Sequence, residues 1–464
     1  MINYNIISKT ELISSRLDPE FYKKELTNLD KAIDKIGSIS LRELISELTD
    51  YTANGSFASL KANVKIRDDK SFAKWIRIHN LDANNFEKSI RYTDKRGYEF
   101  LRKSKLLGGE LLVSKTGEYL GRAYLFNPNV SNDKYTLADN IFLLRLKNPL
   151  YNGFVFSFIN SNLGRKLLLR WSQGTGQPTI IKDSLRSVRL PEIKIEEVAI
   201  YNDLINKYYS KVLESQSLYK QAVTLLEKEL GLNKIVFEKP KSYTASFSEV
   251  VNSNRADADF YQTKYKQLEK HISTLQYKSL ASICNFQKGY EVGTKLYTDQ
   301  GPTFIRVSNL TINGFTFGNA DKYISNNTYS IFKAHKPNNG DILLTKDGTI
   351  GTCYIVDEEV EGIISSGIMN LALNDTSIPK EYLALVINST ICQMQADRDC
   401  SGALITHWKP EQIRKMKIPI LSPETMEHLA DLVTRSKVAR KESKQLLEQA
   451  KNRVEELIEE AAKK

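Results

Sequence analysis

Gly109-Glu-Leu-Leu-Val-Ser-Lys115-Thr-Gly117 returns 231 residues later as Gly340-Asp-Ile-Leu-Leu-Thr-Lys346-Asp-Gly348. Working outward, Ile76-Arg77-Ile-His-Asn80-Leu81 returns as Ile305-Arg306-Val-Ser-Asn309-Leu310, and Arg16-Leu-Asp18-Pro-Glu-Phe21-Tyr22 as Arg255-Ala-Asp257-Ala-Asp-Phe260-Tyr261. Gly174 and Pro191 find counterparts in Gly402 and Pro419, followed by Asp203-Leu204 and Asp431-Leu432. Four blocks in one order at a nearly constant offset mean a duplication. The period far exceeds the roughly 20 to 50 residues of a solenoid repeat, so the repeated unit is a whole domain.

At 464 residues a prior of about 150 per domain suggests about three units; the repeat refines this to two globular halves and whatever joins them. Each half is long enough to bury its own core, since burial already reaches about two-thirds near 150 residues. With 66 Lys+Arg against 55 Asp+Glu the net charge is +11, which favours a polyanionic partner. The stretch Lys61 to Lys105 holds thirteen basic and six acidic residues, interleaved with Phe72, Trp75, Phe86, Tyr92 and Tyr98. That mixture suits a surface meeting phosphates, and equally a solvated domain face over core aromatics.

The four cysteines, Cys284, Cys353, Cys392 and Cys400, all fall in the second half and form no C-x-x-C pair. A disulfide or zinc site essential to a duplicated fold should occur in both copies, so these read as reduced thiols. No apolar run approaches the roughly 18 residues of a membrane span, and Met1-Ile-Asn-Tyr4 does not open a signal peptide. The expectation is a cytoplasmic protein without a membrane partner.

Two segments read as long helices. From about Glu196 to Leu230 there is no Gly or Pro. Val198, Ile205, Val212, Tyr219 and Leu226 recur every seven residues, with Tyr201, Tyr208 and Ala222 on the second seam position. The run stops at Gly231, a normal C-terminal signal. The second runs from Glu424 onward, and the repeat offset carries the seam to Met426, Val433, Arg440, Leu447 and Val454; Arg440 alone is not apolar. A heptad sustained this long predicts a coiled-coil partner. About 35 residues at 1.5 Å each make a rod of about 52 Å.

Around the helices, short β-rich runs are punctuated by Gly and Asn. Asp341 to Thr345 and Thr352 to Val356 flank Lys346-Asp347-Gly348, where Asp-Gly signals a tight turn; Glu110 to Ser114 and Arg122 to Phe126 flank Lys115-Thr116-Gly117. Leu26 to Ile36, Tyr151 to Trp171 and Lys380 to Gln395 read as helices. The expected fold class is α+β: two similar β-rich mixed domains separated and joined by two long antiparallel coiled-coil helices, with a pseudo-two-fold internal repeat. Residues 1–190 form the first domain, 191–233 the first helix, 234–248 a linker that includes Lys239-Pro240-Lys241-Ser242, 249–421 the second domain and 422–464 the second helix.

Catalytic signatures are missing. There is no Gly-Lys pair for a P-loop, no adjacent prolines for an adenine-methyltransferase loop, and no H-E-x-x-H. Gly174-Thr-Gly176-Gln-Pro-Thr179 lacks the third glycine of a dinucleotide fingerprint and reads as a turn. Glu192-Ile-Lys194 and Glu442-Ser-Lys444 mimic half of a nuclease site, but sit at or inside the long helices. No catalytic or metal-binding residue is expected.

The recurring residues suit binding instead. Lys115-Thr116-Gly117 and Lys346-Asp347-Gly348 each put a cation and a Gly on a hairpin tip, with Lys115 and Lys346 as phosphate contacts; Thr116, Thr349 and Arg122 join them as DNA-binding candidates. Gln177 and Thr179 lie in the Gly174 turn, and Thr406 and His407 end the matching stretch from Ser401. Arg77 with Asn80, and Arg306 with Asn309, are the types that bond guanine and adenine edges bidentately. Residues shared by both copies also commonly hold the fold, so a structural duty stays open for these four.

Two domains each followed by a long helix, with repeated G-[DE]-[IL]-L-x-[ST]-K-x-G and Ile-Arg-x-x-Asn-Leu blocks, resemble the specificity subunit of type I restriction–modification systems over essentially the whole chain. The resemblance implies two target-recognition domains, each reading half of a bipartite duplex DNA target, and helices that space them and dock two methyltransferase subunits. Motor-nuclease subunits would join them. S-adenosylmethionine, ATP and magnesium would sit on those partners, with no cofactor in this chain. The readings that compete are a stand-alone two-domain DNA-binding protein and, less in keeping with the missing motifs, a divergent nuclease.

Overall fold

The structure, a computed structural model, describes residues 7, 12, 16–81, 89–117, 119–126, 133–174, 176–238, 240, 242–318, 321–400 and 406–463. Of the residues singled out above, Met1, Tyr4, Phe86, Thr175, Lys239, Lys241, Ser401 and Gly402 lie outside that set. The chain divides into two compact units: Met1–Leu213 with Ala439–Lys464, and Glu214–Val438. The two long helices, Ile195–Glu229 and Pro423–Lys463, each contribute a stretch to both units.

In the first unit a four-stranded antiparallel sheet runs in the order Ile45–Asp50, Ile141–Leu146, Glu110–Ser114, Ala123–Phe126. Successive side chains of a strand point to opposite faces, and here both faces are covered. Leu111, Val113, Phe142 and Leu144 join a core with the helices Asn152–Asn160 and Asn162–Leu169. Leu112, Ile141 and Leu143 join a second core on the other face. That core is shared with a five-stranded sheet ordered Ile66–Arg67, Arg91–Thr93, Ala73–Ile76, Lys134–Leu137, Lys105–Leu106. This is why the middle of that strand, Leu111-Leu112-Val113, reads as an unbroken apolar run and not as an alternation.

The helical stretch expected from Tyr151 to Trp171 breaks at Ser161, whose hydroxyl accepts from Gly164 N at 3.1 Å and so caps the second piece. The first piece lies directly on the long helix: a Cβ at Gly153 would stand 2.6 Å from Asn202 Cα. The rings of Phe154 and Tyr201 meet there at 5.1 Å.

The second unit repeats the plan. Its four-stranded sheet, Cys284–Lys288, Ile368–Leu373, Ile342–Thr345, Cys353–Ile355, has the same strand order. Ile342, Leu344, Met369 and Leu371 face a helical core, while Leu343 and Ile368 face the other side. Its second sheet is smaller, with Lys322–Ile324, Tyr297–Ile305 and Gly362–Ile364. The helical stretch expected from Lys380 to Gln395 is again two pieces, Lys380–Ile387 and Thr390–Asp399. Cys284, Cys353 and Cys392 are buried free thiols, each pushed up in pKa by that burial.

Within each unit the long helices run antiparallel. In the first, Arg453 lies 5.9 Å over the Tyr201 ring and Lys211 pairs with Glu442 at 2.8 Å, so numbering rises on one helix as it falls on the other. Val198 and Ile205 are buried on one helix and Val454 on the other, with Ala450, Ile458 and Ala461 beside it; Leu447 is half-buried. In the second unit, Leu226, Met426 and Val433 are buried with Leu218, Ala222 and Leu429, and Tyr219 is half-buried against them. Val212 and Arg440 are half-buried.

The seam of the second unit also holds a polar pair. Ser215 Oγ donates to Ser436 O and Ser436 Oγ to Ser215 O, each at 2.8 Å. The exchange satisfies two buried hydroxyls at once, and any shift in register would leave both unpaired.

Candidate nucleic-acid interface

The hairpin of the first unit turns at Lys115-Thr116-Gly117. Gly117 has φ +78°, with nothing within 4 Å of where a Cβ would stand, so the tip needs a left-handed residue facing open space. The Gly174 turn is stitched to it: Thr116 and Thr179 form an antiparallel bridge, and Ile180 N donates to Lys115 O at 3.0 Å. Thr116 and Thr179 are half-buried there, Gln177 is exposed, and Arg122 lies 5.2 Å over the Tyr119 ring.

Lys115 is not a free cation. Its side chain is 13% exposed, and its Nζ lies 3.2 Å from Asp50 Oδ2 and 3.4 Å from Asp139 Oδ1. Lys182 Nζ takes the other oxygen of Asp50 at 3.0 Å. Burial alone would raise the Asp50 carboxyl, but the Lys182 hydrogen bond and the charges of Lys115 and Lys182 outweigh it and hold the pKa below its ordinary value. Asp50 also accepts from Ala53 N at 3.0 Å, which starts the turn Tyr51–Asn54. This carboxylate joins strand, tip and turn.

The second tip is built alike from different residues. Lys346 is buried, and its Nζ lies 2.6 Å from Asp347 Oδ2. His407 Nδ1 meets the other oxygen of Asp347 at 2.8 Å. Gly348 N donates to Thr406 O, and Trp408 N to Lys346 O, so the stretch at Thr406 closes on the tip as its counterpart does. Thr349 and His407 are exposed.

The Ile-Arg-x-x-Asn-Leu blocks cap 3₁₀ turns, the structural duty that the sequence left open for these four residues. Asn80 has no exposed surface, and its Oδ1 accepts from Arg77 N at 3.1 Å to close a 3₁₀ turn. Asn309 accepts from Arg306 N at 3.0 Å, while its Nδ2 donates to Thr316 O and Asp321 Oδ1. Neither amide is presented to a groove. Arg77 is half-buried and donates to Ser89 O; Arg306 is half-buried too.

Sequence reasoning missed Asp50 and Asp139, which meet Lys115 only through folding, and Lys182, which shares Asp50 with it. The adjacency of Lys346 and Asp347 was a visible signal that a tip lysine is neutralised. Among the described residues no group of three or more His, Cys, Asp or Glu is placed to hold a metal, and no helix is long and apolar enough to cross a membrane.

No protein-family model matches the chain, and no curated protein matches it. Solved structures do. The S subunit of a type I restriction-modification system from M. genitalium is similar at 14% identity, TM-score 0.38, over 91% of this chain and 95% of that one. A chain from a structure on complex assembly and conformational transition of the type I R-M system is similar at 12% identity, TM-score 0.29, over 92% and 97%. The HsdS subunit from Thermoanaerobacter tengcongensis is similar at 13% identity, TM-score 0.28, over 91% and 96%.

Proposed function

We propose that this chain is the DNA-recognition (specificity) subunit of a type I restriction–modification complex. Each unit reads one half of a bipartite duplex target, and the chain itself does no chemistry. The observation that carries the reading is the duplicated tip: one hairpin-and-loop plan occurs twice, with different residues closing it. Lys115, Asp50 and Thr179 close one copy, and Lys346, Asp347 and His407 the other. One scaffold with different surfaces is what two non-identical half-sites require. The net charge of +11 fits a phosphate-bearing partner.

In this reading the long helices dock two methyltransferase subunits, with S-adenosylmethionine, ATP and magnesium on the partners and motor-nuclease subunits completing the complex in the cytoplasm. The chain co-expressed with an adenine methyltransferase partner is tested by selection from a random DNA pool. The expected result is a two-part motif with an unread gap, of which replacing residues 249–421 by those of another such chain changes one part only. A single continuous motif, or none, refutes the proposal. Tight specific binding by the chain alone with no partner retained favours a stand-alone regulator; magnesium-dependent cutting by the chain alone favours a nuclease.

A further inference from the structure

Next to each tip lies a surface that the repeated motifs do not predict. In the first unit the strand Ile45–Asp50 passes through the turn Tyr51–Asn54 into the helix Phe57–Asn63. Asn54 pins this segment to a second turn, Arg102–Ser104: Lys103 N donates to Asn54 Oδ1 at 2.8 Å and Asn54 Nδ2 to Ser104 Oγ at 3.0 Å. Behind it, a Cβ at Gly55 would touch the Phe100 ring at 3.4 Å. The pinning brings exposed Arg102 and Lys103 beside the segment that carries Phe57, which is 83% exposed. Lys61, four residues on, shares the face of Phe57. Among the described residues Lys61, Arg102 and Lys103 make no ion pair.

The second unit presents the same combination by another route. After the strand Cys284–Lys288, Gly289 is wedged so tightly that a Cβ would stand 2.2 Å from Ser365 O, and Tyr290 N donates to Ile364 O at 3.0 Å. Tyr290 is thereby fixed with its ring stacked on Phe332 at 4.1 Å and His335 at 5.7 Å, leaving it 41% exposed. The turn Lys333–His335 occupies the place of Arg102–Ser104, held by Gln287 Nε2 donating to Ala334 O at 3.1 Å. Lys288 and Lys333 are exposed and make no ion pair among the described residues.

Both surfaces adjoin their tips. Asp50 binds Lys115 and caps the turn before Phe57; Ile364 O and Ile368 O accept from Tyr290 N and Gly289 N, and Gly367 O accepts from Lys346 N. An exposed ring on a segment that adjoins cations without ion pairs among the described residues matches a ligand that carries flat apolar edges between regularly spaced anions. Duplex DNA has that chemistry.

We propose that Phe57 and Tyr290 are the base-facing, specificity-determining contacts of their respective units. Lys61, Arg102 and Lys103 in one unit, and Lys288 and Lys333 in the other, bind the flanking phosphates. This rests on the DNA-recognition reading and deepens it. Rings that differ in kind and in backbone support, each beyond the edge strand of its own four-stranded sheet, would give the two units different preferences from one plan.

The test uses the full chain with its methyltransferase partners and the target that the wild-type complex selects. Phe57→Ala should reduce discrimination at positions of one half-site by about 5- to 150-fold, following the roughly 1–3 kcal/mol that a mismatched base pair costs. The other half-site should stay intact. Tyr290→Ala should do the reverse, and Phe57→Leu should restore part of the loss. Arg102→Ala with Lys103→Ala should lower the slope of log affinity against log salt by about two while leaving preference unchanged. Truncating so exposed a side chain as Phe57 spares the core, and hydrogen exchange of Glu110–Ser114 checks that the unit is folded. Full discrimination by folded Phe57→Ala and Tyr290→Ala complexes overturns the inference and leaves the specificity-subunit reading standing. A wild-type complex that selects no target overturns both.

Discussion

Replacing Asp50 by Asn tests the claim that the first tip is held by a buried charge cluster. Asparagine keeps the shape and, through Oδ1, the bonds from Ala53 N, Thr52 Oγ1 and Lys182. It removes the negative charge and turns an amide donor toward Lys115 Nζ, which sits 3.2 Å from Oδ2. Breaking a buried pair costs about 3–5 kcal/mol. Asp50 is 6% exposed, but Lys115 is 13% and Lys182 31% exposed, so partial screening brings the expectation to about 2–3 kcal/mol. Lys115→Met keeps a stem over the Phe142 ring, 5.2 Å from Nζ, and should cost about 1 kcal/mol because Lys182 still serves Asp50.

The double variant should then be no worse than Asp50→Asn alone, a coupling of about 1–2 kcal/mol. A chain of two units does not unfold in one step, so the readout is hydrogen exchange of the Glu110–Ser114 amides in urea, which reports the first unit. The folded Asp50 pKa is depressed, so its stabilisation is fully present above the ordinary value of 3.8 and disappears as pH falls through the folded value. The gap between wild type and Asp50→Asn should therefore close only in strong acid. Strict additivity of the two substitutions refutes the cluster. The same geometry predicts that Lys115→Met leaves the salt dependence of DNA affinity nearly unchanged, because its charge is already cancelled.

Asn80→Ala and Asn309→Ala should each destabilise their own unit by about 1–2 kcal/mol, the cost of a lost cap, with the selected DNA sequence unaltered; a changed sequence would show that these residues read bases. Gly153→Ala, whose Cβ would meet Asn202 Cα at 2.6 Å, should cost about 1–3 kcal/mol by overpacking. It should raise exchange in the helix Asn152–Asn160, and exchange there at the wild-type rate would show that the helices do not meet backbone to backbone. In the native chain a thiol reagent should label half-exposed Cys400 first and buried Cys353 and Cys392 only on unfolding; equal rates would contradict the packed core.

Period and duplication were legible in the sequence because they depend on local rules. The seven-residue recurrence from Val198 to Leu226, with Gly231 at φ +69° as its stop, marks a helix whatever lies beside it, and the structure places that helix at Ile195–Glu229. The runs Glu110 to Ser114 and Asp341 to Thr345 were legible as strands beside a tight turn, and the structure has strands at Glu110–Ser114 and Ile342–Thr345. The matching blocks announced two copies of one plan, and both sheets share a strand order.

What the tertiary structure decided was the meaning of the polar residues inside those blocks. Arg77-Ile-His-Asn80 contains the residue types of a base reader, yet Asn80 is buried, because the turn that follows the strand Ala73–Ile76 leaves Arg77 N needing an acceptor that the Asn80 side chain supplies. Lys115 looked like a surface cation until folding placed Asp50 and Asp139 against it, with Lys182 on the other oxygen of Asp50. Phe57 and Tyr290 share no motif and no alignable neighbours. Only the pinning of Asn54 to Ser104, and of Gln287 to Ala334, shows that the segment carrying each ring runs beside a turn that bears exposed cations. Helix and strand follow from the order of apolar residues along the chain, whereas the partner of a charge depends on what long-range packing brings within about 4 Å of it.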